Sequence, residues 1–341
     1  MSDAKILFIG PGAIGASVAA WVAESYPATF IMGHGETQNA LRRDGITAYR
    51  FAEPERTRRT VRFAVVDRPG EIDPEIVVLA VKNYSLAAVA KMVKDELGDR
   101  PIVVSMANGI DNQRILPKFF SKVIYGVVAY NARRDAPGVI GYQRKGPLLI
   151  GTPDNSLAAE LRLVQSILAR GCPTEIVDRL QDAVHAKIVI NLSNALDALV
   201  GRGWRPLSNL AVYQQLLSQT LWEGVRVIRA AGYREYRIAG IPSFAFLHAA
   251  AVLPGWLLRP VFKSKLRGYA MSSMTQDVAL RGAHDTELES ITGYIVHLAA
   301  EHGVPAPYNR AIYRLGREKF HPGFEPMRCE DVLAAVERER A

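Results

Sequence analysis

Six residues near the start of the chain, Gly10-Pro11-Gly12-Ala13-Ile14-Gly15, constrain the fold more than any other segment. They follow the apolar run 5–9 directly and open the helix-patterned run 13–25 directly. In that context each glycine has its own task. The first permits a tight turn, the second lets a pyrophosphate reach the backbone, and the third allows close packing of helix on strand. Free N–H groups and the positive end of the helix dipole then hold the phosphates. Glycine turns that bind nothing share this spacing, but the flanking strand and helix favour the nucleotide reading for Gly10, Pro11, Gly12, Ala13, Ile14 and Gly15.

Beyond this loop the first half alternates β-rich runs (5–9, 28–32, 60–66, 76–81, 102–106) with helical patterns (13–25, 37–43, 86–96). That is the form of a parallel sheet with crossover helices. A β-like stretch follows over 123–150, with turns at Pro137-Gly138 and Lys145-Gly146-Pro147, and a helix over 156–169 closes the domain. From about residue 178 long helical patterns dominate, at 179–200, 209–231, 272–283 and 286–302. The expected fold is a Rossmann-type α/β dinucleotide-binding domain over 1–177 and an all-α domain over 178–341.

The length of 341 residues suits two domains, and 49% hydrophobic residues suffices for a core in each. A count of 42 Lys+Arg against 34 Asp+Glu leaves +8. The basic residues lack the dense clustering of a phosphate-tracking face, so nucleic acid is not an expected partner; an anionic small molecule accounts for the sign equally well. The densest basic stretch of the second half, 259–267 with Lys263 and Lys265, reads as solvated surface.

Two cysteines, Cys172 and Cys329, are too few for a disulfide framework or a zinc site, and a reducing cytoplasm is the simplest compartment. The apolar run 6–23 imitates a signal peptide, yet its glycines make it read as strand, turn and helix. The apolar run 244–262 is broken by Pro254, Gly255, Arg259 and Pro260, so no membrane span is expected there. It reads either as a cover for a cleft or as a contact between the two copies of a homodimer.

NAD sites place an Asp or Glu at the end of the second strand, where it takes the ribose 2′-hydroxyl. Here that place reads Met32-Gly33-His34-Gly35, with no acid until Glu36. Without a carboxylate a 2′-phosphate is not repelled, and His34, Thr37, Arg42 and Arg43 are candidates to receive it. NADP(H) is therefore the favoured cofactor, with an ordinary loop histidine as the alternative for His34.

The segment most informative about chemistry is residues 185–196. At about 100° per residue, Lys187, Asn191 and Asn194 share a narrow stripe, while Ile188, Val189, Ile190, Leu192, Leu196 and Leu199 cover most of the remaining circumference. Such a stripe faces solvent, a cavity or a ligand. Asparagine suits plain helix surface poorly because its amide competes with the backbone, and two of them beside one lysine point to recognition.

The loop from Gly10 to Gly15, Val81-Lys82, Ala107-Asn108-Gly109, the Lys187/Asn191/Asn194 helix, Ser272-Ser273-Met274-Thr275-Gln276-Asp277 with Thr286-Glu287, and Glu301-His302-Gly303-Val304-Pro305 together resemble the ketopantoate reductase family. The match runs in order over nearly the whole chain. This resemblance implies NADPH-dependent reduction of 2-dehydropantoate to pantoate, in pantothenate and coenzyme A biosynthesis. It also implies a helical domain of the 6-phosphogluconate dehydrogenase C-terminal type and a small anionic 2-oxo acid held in a cleft. Carried over by position, Lys187 is the catalytic lysine and Glu287 completes the site. Asn108, Asn191, Asn194 and Ser273 contact substrate or nicotinamide, and Lys82 lies near the cofactor.

Local alternatives stand beside these roles. Lys82 reads also as an exposed strand end, Asn108-Gly109 as a plain turn, Ser273 as a helix cap with Asp277 in the first turn, and Glu287 as an exposed first-turn acid. The chain departs from the family pattern at four points: His185 stands where a Trp is common, and His34 where an Arg is common. Asn194 follows Lys187 by seven residues instead of eight, and the interval from Ser273 to Glu287 is two residues longer. These departures leave open another 2-oxo acid, an opine-like condensation, or a non-catalytic NADP(H) sensor.

Overall fold

Among the described residues, twelve strands build the first half of the chain: β1 (Ile6–Ile9), β2 (Thr29–Met32), β3 (Ile46–Arg50), β4 (Arg59–Val61), β5 (Ala64–Val65), β6 (Ile76–Leu79), β7 (Ile102–Ser105), β8 (Val123–Val128), β9 (Ala132–Ala136), β10 (Val139–Tyr142), β11 (Leu148–Gly151) and β12 (Thr174–Ile176). The computed structural model describes residues 3–267, 271–280, 282 and 286–340. It divides into two units, Met1–Leu180 and Gln181–Ala341.

The main sheet of the first unit runs β12-β11-β8-β7-β6-β1-β2-β5. From β5 to β8 every neighbour pair is parallel; β11 then pairs antiparallel with β8 and parallel with β12. All residues of β1, β6 and β7 are buried, as strands covered on both faces require. The chain leaves β1 toward β2 on one side, then returns to β6 on the other. Open α/β sheets bind ligands beyond the strand carboxyl ends at such a switch point.

A second sheet, β4-β3-β10-β9, covers the opposite side of the helix Ala13–Ala23. That helix packs on β1 and β2 and also on β3, β9 and β10, so residues 15–22 are all buried. Its uniform apolarity, which imitates a leader, is what a helix between two sheets needs. Trp21 anchors it against Tyr130 and Tyr142, with ring centroids 5.3 and 4.9 Å apart.

The strand expected over 60–66 is two strands in two sheets: β4 belongs to the second sheet and β5 to the edge of the first. Arg62 and Phe63 carry the chain from one to the other, a change of partner that period-two patterning does not reveal. β3 was not anticipated either. Its run Ile46-Thr47-Ala48-Tyr49 follows Gly45, whose φ of +75° ends the preceding helix.

The second unit is helical among its described residues, with helices at Leu180–Asn191, Ser193–Val200, Leu210–Ala230, Phe244–Val252, Gly255–Arg267, Ser273–Thr275, Tyr294–Glu301, Pro307–Lys319 and Cys329–Arg340. The helix expected over 179–200 is interrupted at Leu192, whose N–H reaches both Ile188 O (3.1 Å) and Val189 O (3.2 Å). As one run, Leu180–Val200 is long and apolar enough to cross a membrane, but 78% of it is buried inside the fold, as for a core helix.

The helices expected over 272–283 and 286–302 contain π turns, Gln276–Leu280 after the short helix Ser273–Thr275 and Glu289–Gly293 before Tyr294–Glu301, and residues 281 and 283–285 lie outside the described residues. Asn209 caps Leu210–Ala230 by accepting from the N–H groups of Ala211 and Val212. The apolar run 244–262 falls in two helices on either side of Pro254, tied to Leu210–Ala230 by Gln219 on Ala251 O and Gln214 on Gly255 O. The helices Pro307–Lys319 and Cys329–Arg340 lie beyond the helices read from the sequence. Buried Glu223 holds the start of the former by accepting from Tyr308 N (3.0 Å) and Asn309 N (2.9 Å).

His185 is buried in this unit with its ring stacked on Tyr233, centroids 3.4 Å apart. Nδ1 lies 2.7 Å from Gln181 O and Nε2 2.8 Å from the Tyr294 hydroxyl, the pattern of a neutral ring that donates from Nδ1 and accepts at Nε2. Burial pushes its pKa down to about 4. Between pH 6.5 and 4 the unfolded chain therefore binds a proton that the folded chain does not, so stability falls as pH falls through that window, by about 3 kcal/mol at its lower end. Urea unfolding of the parent and of His185→Phe from pH 7 to 4.5 should show a shallower acid slope in the variant; equal slopes would exclude His185 as the source.

Candidate active site

The glycine loop divides its work between backbone freedom, open space and contact. Gly10 has φ +94°, a conformation that side chains disfavour. A Cβ on Gly15 would lie 2.3 Å from Gly10 O and 2.8 Å from Ala80 Cβ, so the helix start presses directly on the loop and on the chain leaving β6. A Cβ on Gly12 would meet nothing within 4 Å. Gly12 thus faces open space at the start of an eleven-residue helix, and among the described residues no side chain caps that start. Pro11 and Ala13-Ile14 complete the turn, with Gly12 N donating to Gly10 O at 2.8 Å. First-turn N–H groups have no acceptor within the helix, so the residues present fit a dinucleotide pyrophosphate.

At the end of β2, Gly33 packs on Pro11: a Cβ there would lie 2.9 Å from the proline ring. His34 is exposed and precedes the helix Gly35–Asp44 without capping it through its side chain. Gln38 secures the turn, accepting from Gly33 N at 2.7 Å and donating to Asp67 Oδ1 at 2.6 Å. Asp67 also accepts from Arg42 at 2.5 Å, and these two donors hold its carboxyl below the usual carboxylate range. Arg43 is paired with Asp44. Neither Gln38 nor Asp67 is marked by the sequence pattern, because their meeting depends on β5 lying beside β2.

At the ends of β6 and β7, Lys82 is half-buried and starts the helix Asn83–Leu97, so it is not an exposed strand end. Asn108 is half-buried in a turn whose Gly109 has φ +81°. Two asparagine amides hold that turn: Asn83 donates to Asn108 O (2.5 Å), and Asn112 to Ala107 O and to Ser105 Oγ (3.1 Å each). The structure therefore gathers the glycine loop, Lys82 and Asn108 at the carboxyl ends of the central strands.

In the second unit Lys187 and Asn191 lie one helical turn apart on Leu180–Asn191, Lys187 half-buried and Asn191 7% exposed. Open solvent is excluded as the surrounding of Asn191. Asn194 is half-buried in the next helix, and its carbonyl oxygen lies 3.5 Å from Ser272 Oγ. Ser272, not Ser273, is the helix cap, accepting from Thr275 N at 3.1 Å, while Ser273 is exposed. Asp277 and Glu287 are both 4% exposed, which removes the reading of Glu287 as an exposed first-turn acid. Leu288 joins Leu196 and Leu199 in one core cluster, so the Glu287 backbone is anchored to the helix that carries Asn194. Among the described residues no group of three His, Cys, Asp or Glu is placed to hold a metal ion.

Two family models match the chain: "Ketopantoate reductase PanE/ApbA" over residues 6–155 and "Ketopantoate reductase PanE/ApbA C terminal" over residues 179–320. The chain belongs to the ketopantoate reductase family. A 2-dehydropantoate 2-reductase of Halobacterium salinarum is 27% identical over 319 residues, covering 92% of this chain and 98% of its own. Among solved structures, a 2-dehydropantoate 2-reductase from Geobacter metallireducens superposes with TM-score 0.75 at 18% identity, over 92% of this chain and 99% of its own. A D-mandelate dehydrogenase in complex with NADH and anilino(oxo)acetate has TM-score 0.75 at 16% identity, covering 99% of each chain.

Two departures from the family pattern acquire physical meaning in the structure. His185 lies about 200° around the helix from Lys187, so the exchange for Trp alters packing against Tyr233 and Tyr294 and not the lysine's face. His34 is exposed at the family's basic position, and the nearby arginines are each paired with an acid.

The loop geometry separates stability from binding. Gly12→Ala should melt within about 2 °C of the parent, since its new methyl meets no protein atom, yet bind NADPH at least about tenfold more weakly. Gly15→Ala should melt more than about 4 °C lower, since its methyl strikes a backbone oxygen. Thermal unfolding and NADPH fluorescence titration check both; parent-like binding by Gly12→Ala would contradict the phosphate assignment.

Proposed function

We propose that this protein reduces 2-dehydropantoate to pantoate with NADPH, with Lys187 as the proton donor. Its relatives named 2-dehydropantoate 2-reductase, matched over 92% of the chain, support the substrate. The observation that carries the chemistry is the Lys187/Asn191 stripe on a helix that is for the most part buried and apolar.

NADPH, when bound, supplies the hydride that reduces the 2-oxo carbon. The former carbonyl oxygen then gains negative charge, and the Lys187 ammonium stabilises that charge and transfers its proton to it. The half-buried setting of Lys187 strengthens the interaction relative to bulk water. Asn191 and Asn194 offer amide donors to the substrate carboxylate without adding charge, and Ser273 offers a hydroxyl. The buried Glu287 carboxylate accepts from a substrate hydroxyl or orients the lysine. On the nucleotide side, Gly10 to Gly15 hold the pyrophosphate, and Lys82 and Asn108 lie beside the nicotinamide end.

NADPH oxidation followed at 340 nm with 2-dehydropantoate tests this reading. Lys187→Ala should lower kcat by about 10²–10⁴-fold while leaving NADPH affinity within about threefold. Turnover equal to that of the parent would remove Lys187 from the reaction. A parallel panel of aromatic and branched 2-oxo acids tests the substrate: stronger turnover of another member would replace 2-dehydropantoate and keep the reaction class.

A further inference from the structure

The absence of an acid at the end of β2 in the sequence is not an absence in space. β5 lies parallel to β2, with Val66 N donating to Ile31 O at 3.0 Å, and this pairing carries Asp67 to the carboxyl end of β2. A continuous chain of contacts links it to the phosphate loop. Pro11 packs on Gly33, Gly33 N donates to Gln38 Oε1, Gln38 Nε2 donates to Asp67 Oδ1, and Arg42 donates to Asp67 Oδ2. In a fold of this type the ribose of the adenosine half lies at this strand end, beside the pyrophosphate loop.

We propose that the Asp67–Arg42 pair, and not a residue of the β2 loop itself, reads the 2′ position of that ribose and lets the enzyme take both NADPH and NADH. The inference rests on the dinucleotide reading given above. Arg42 and Asp67 are 44% and 59% exposed, so their mutual attraction is screened and weak. A doubly charged 2′-phosphate can draw the guanidinium away through two charge-assisted hydrogen bonds. With a 2′-hydroxyl in the same place, Arg42 stays on Asp67 and a carboxylate lone pair accepts the hydroxyl. Gln38 holds Asp67 in either case, because its bond uses the other carboxylate oxygen. His34 is exposed at the start of the next helix and lies outside this pair.

The two halves of the pair should shift cofactor preference in opposite directions. Arg42→Ala removes the phosphate partner and leaves Asp67 to repel, so the ratio of NADPH to NADH affinity should fall at least about tenfold. Asp67→Asn removes the repulsion and weakens the hydroxyl acceptor, so the ratio should rise at least about fivefold. Fluorescence titration of both dinucleotides into the parent and both variants gives the ratios without any turnover. Opposite shifts support the proposal. Equal loss of both cofactors, no change in the ratio, or a parent that binds NADPH alone would overturn it. Failure of the parent to bind either dinucleotide would overturn the cofactor reading and this inference with it. Binding without reduction of 2-dehydropantoate would remove the proposed substrate and leave this inference intact.

Discussion

The contact of Gly15 with Gly10 and with the chain leaving β6 is the constraint on which the nucleotide half depends. It brings the N-terminus of an apolar helix to the switch point of a parallel sheet, with Gly12 facing open space. The rest of that helix pays no attention to solvent, because a second sheet closes over its far side. Phosphate recognition and the packing of Trp21 between Tyr130 and Tyr142 are therefore properties of one rigid element. A helix fixed at both faces presents its first N–H groups without reorganising, which is what an anion site at a helix start requires.

The second unit solves a different problem, that of keeping polar groups on a core helix. His185 satisfies both ring nitrogens and remains neutral by burial, and Asp197 is held by Arg202 and Tyr213 while burial raises its pKa. These groups belong to the packing. Lys187, Asn191 and Asn194 lie on the same run of helix, but two of them stay half-buried and the third is tightly enclosed. The segment capped by Ser272 is packed beside Asn194, and a π turn follows each of the two candidate residues, Gln276–Leu280 after Ser273 and Glu289–Gly293 after Glu287.

Much of the fold was legible because the physical signals were local. The glycine loop, the buried strands and the long helix Leu210–Ala230 each announce themselves through spacing, apolarity or a cap. What escaped depends on tertiary partners. The 60–66 run looked like one strand because nothing in its pattern marks a change of sheet at Arg62 and Phe63. The π turns escaped because a 3.6-residue period cannot show an inserted residue. At the candidate site the residue types were legible, but burial was not: the local alternative for Glu287 was a surface acid and it is enclosed, whereas the local alternative for Ser273 was a cap and it is exposed next to the real cap, Ser272. Asp67 escaped because it reaches the end of β2 from a neighbouring strand.

The account turns on an amine reaching the oxygen that gains charge. A crystal structure of the protein with NADP and an unreactive 2-oxo acid measures that distance directly. The account predicts Lys187 Nζ within hydrogen-bond reach, about 2.7–3.2 Å, of the 2-oxo oxygen. A Lys187 ammonium directed to solvent, with another group or an ordered water on that oxygen, would contradict it.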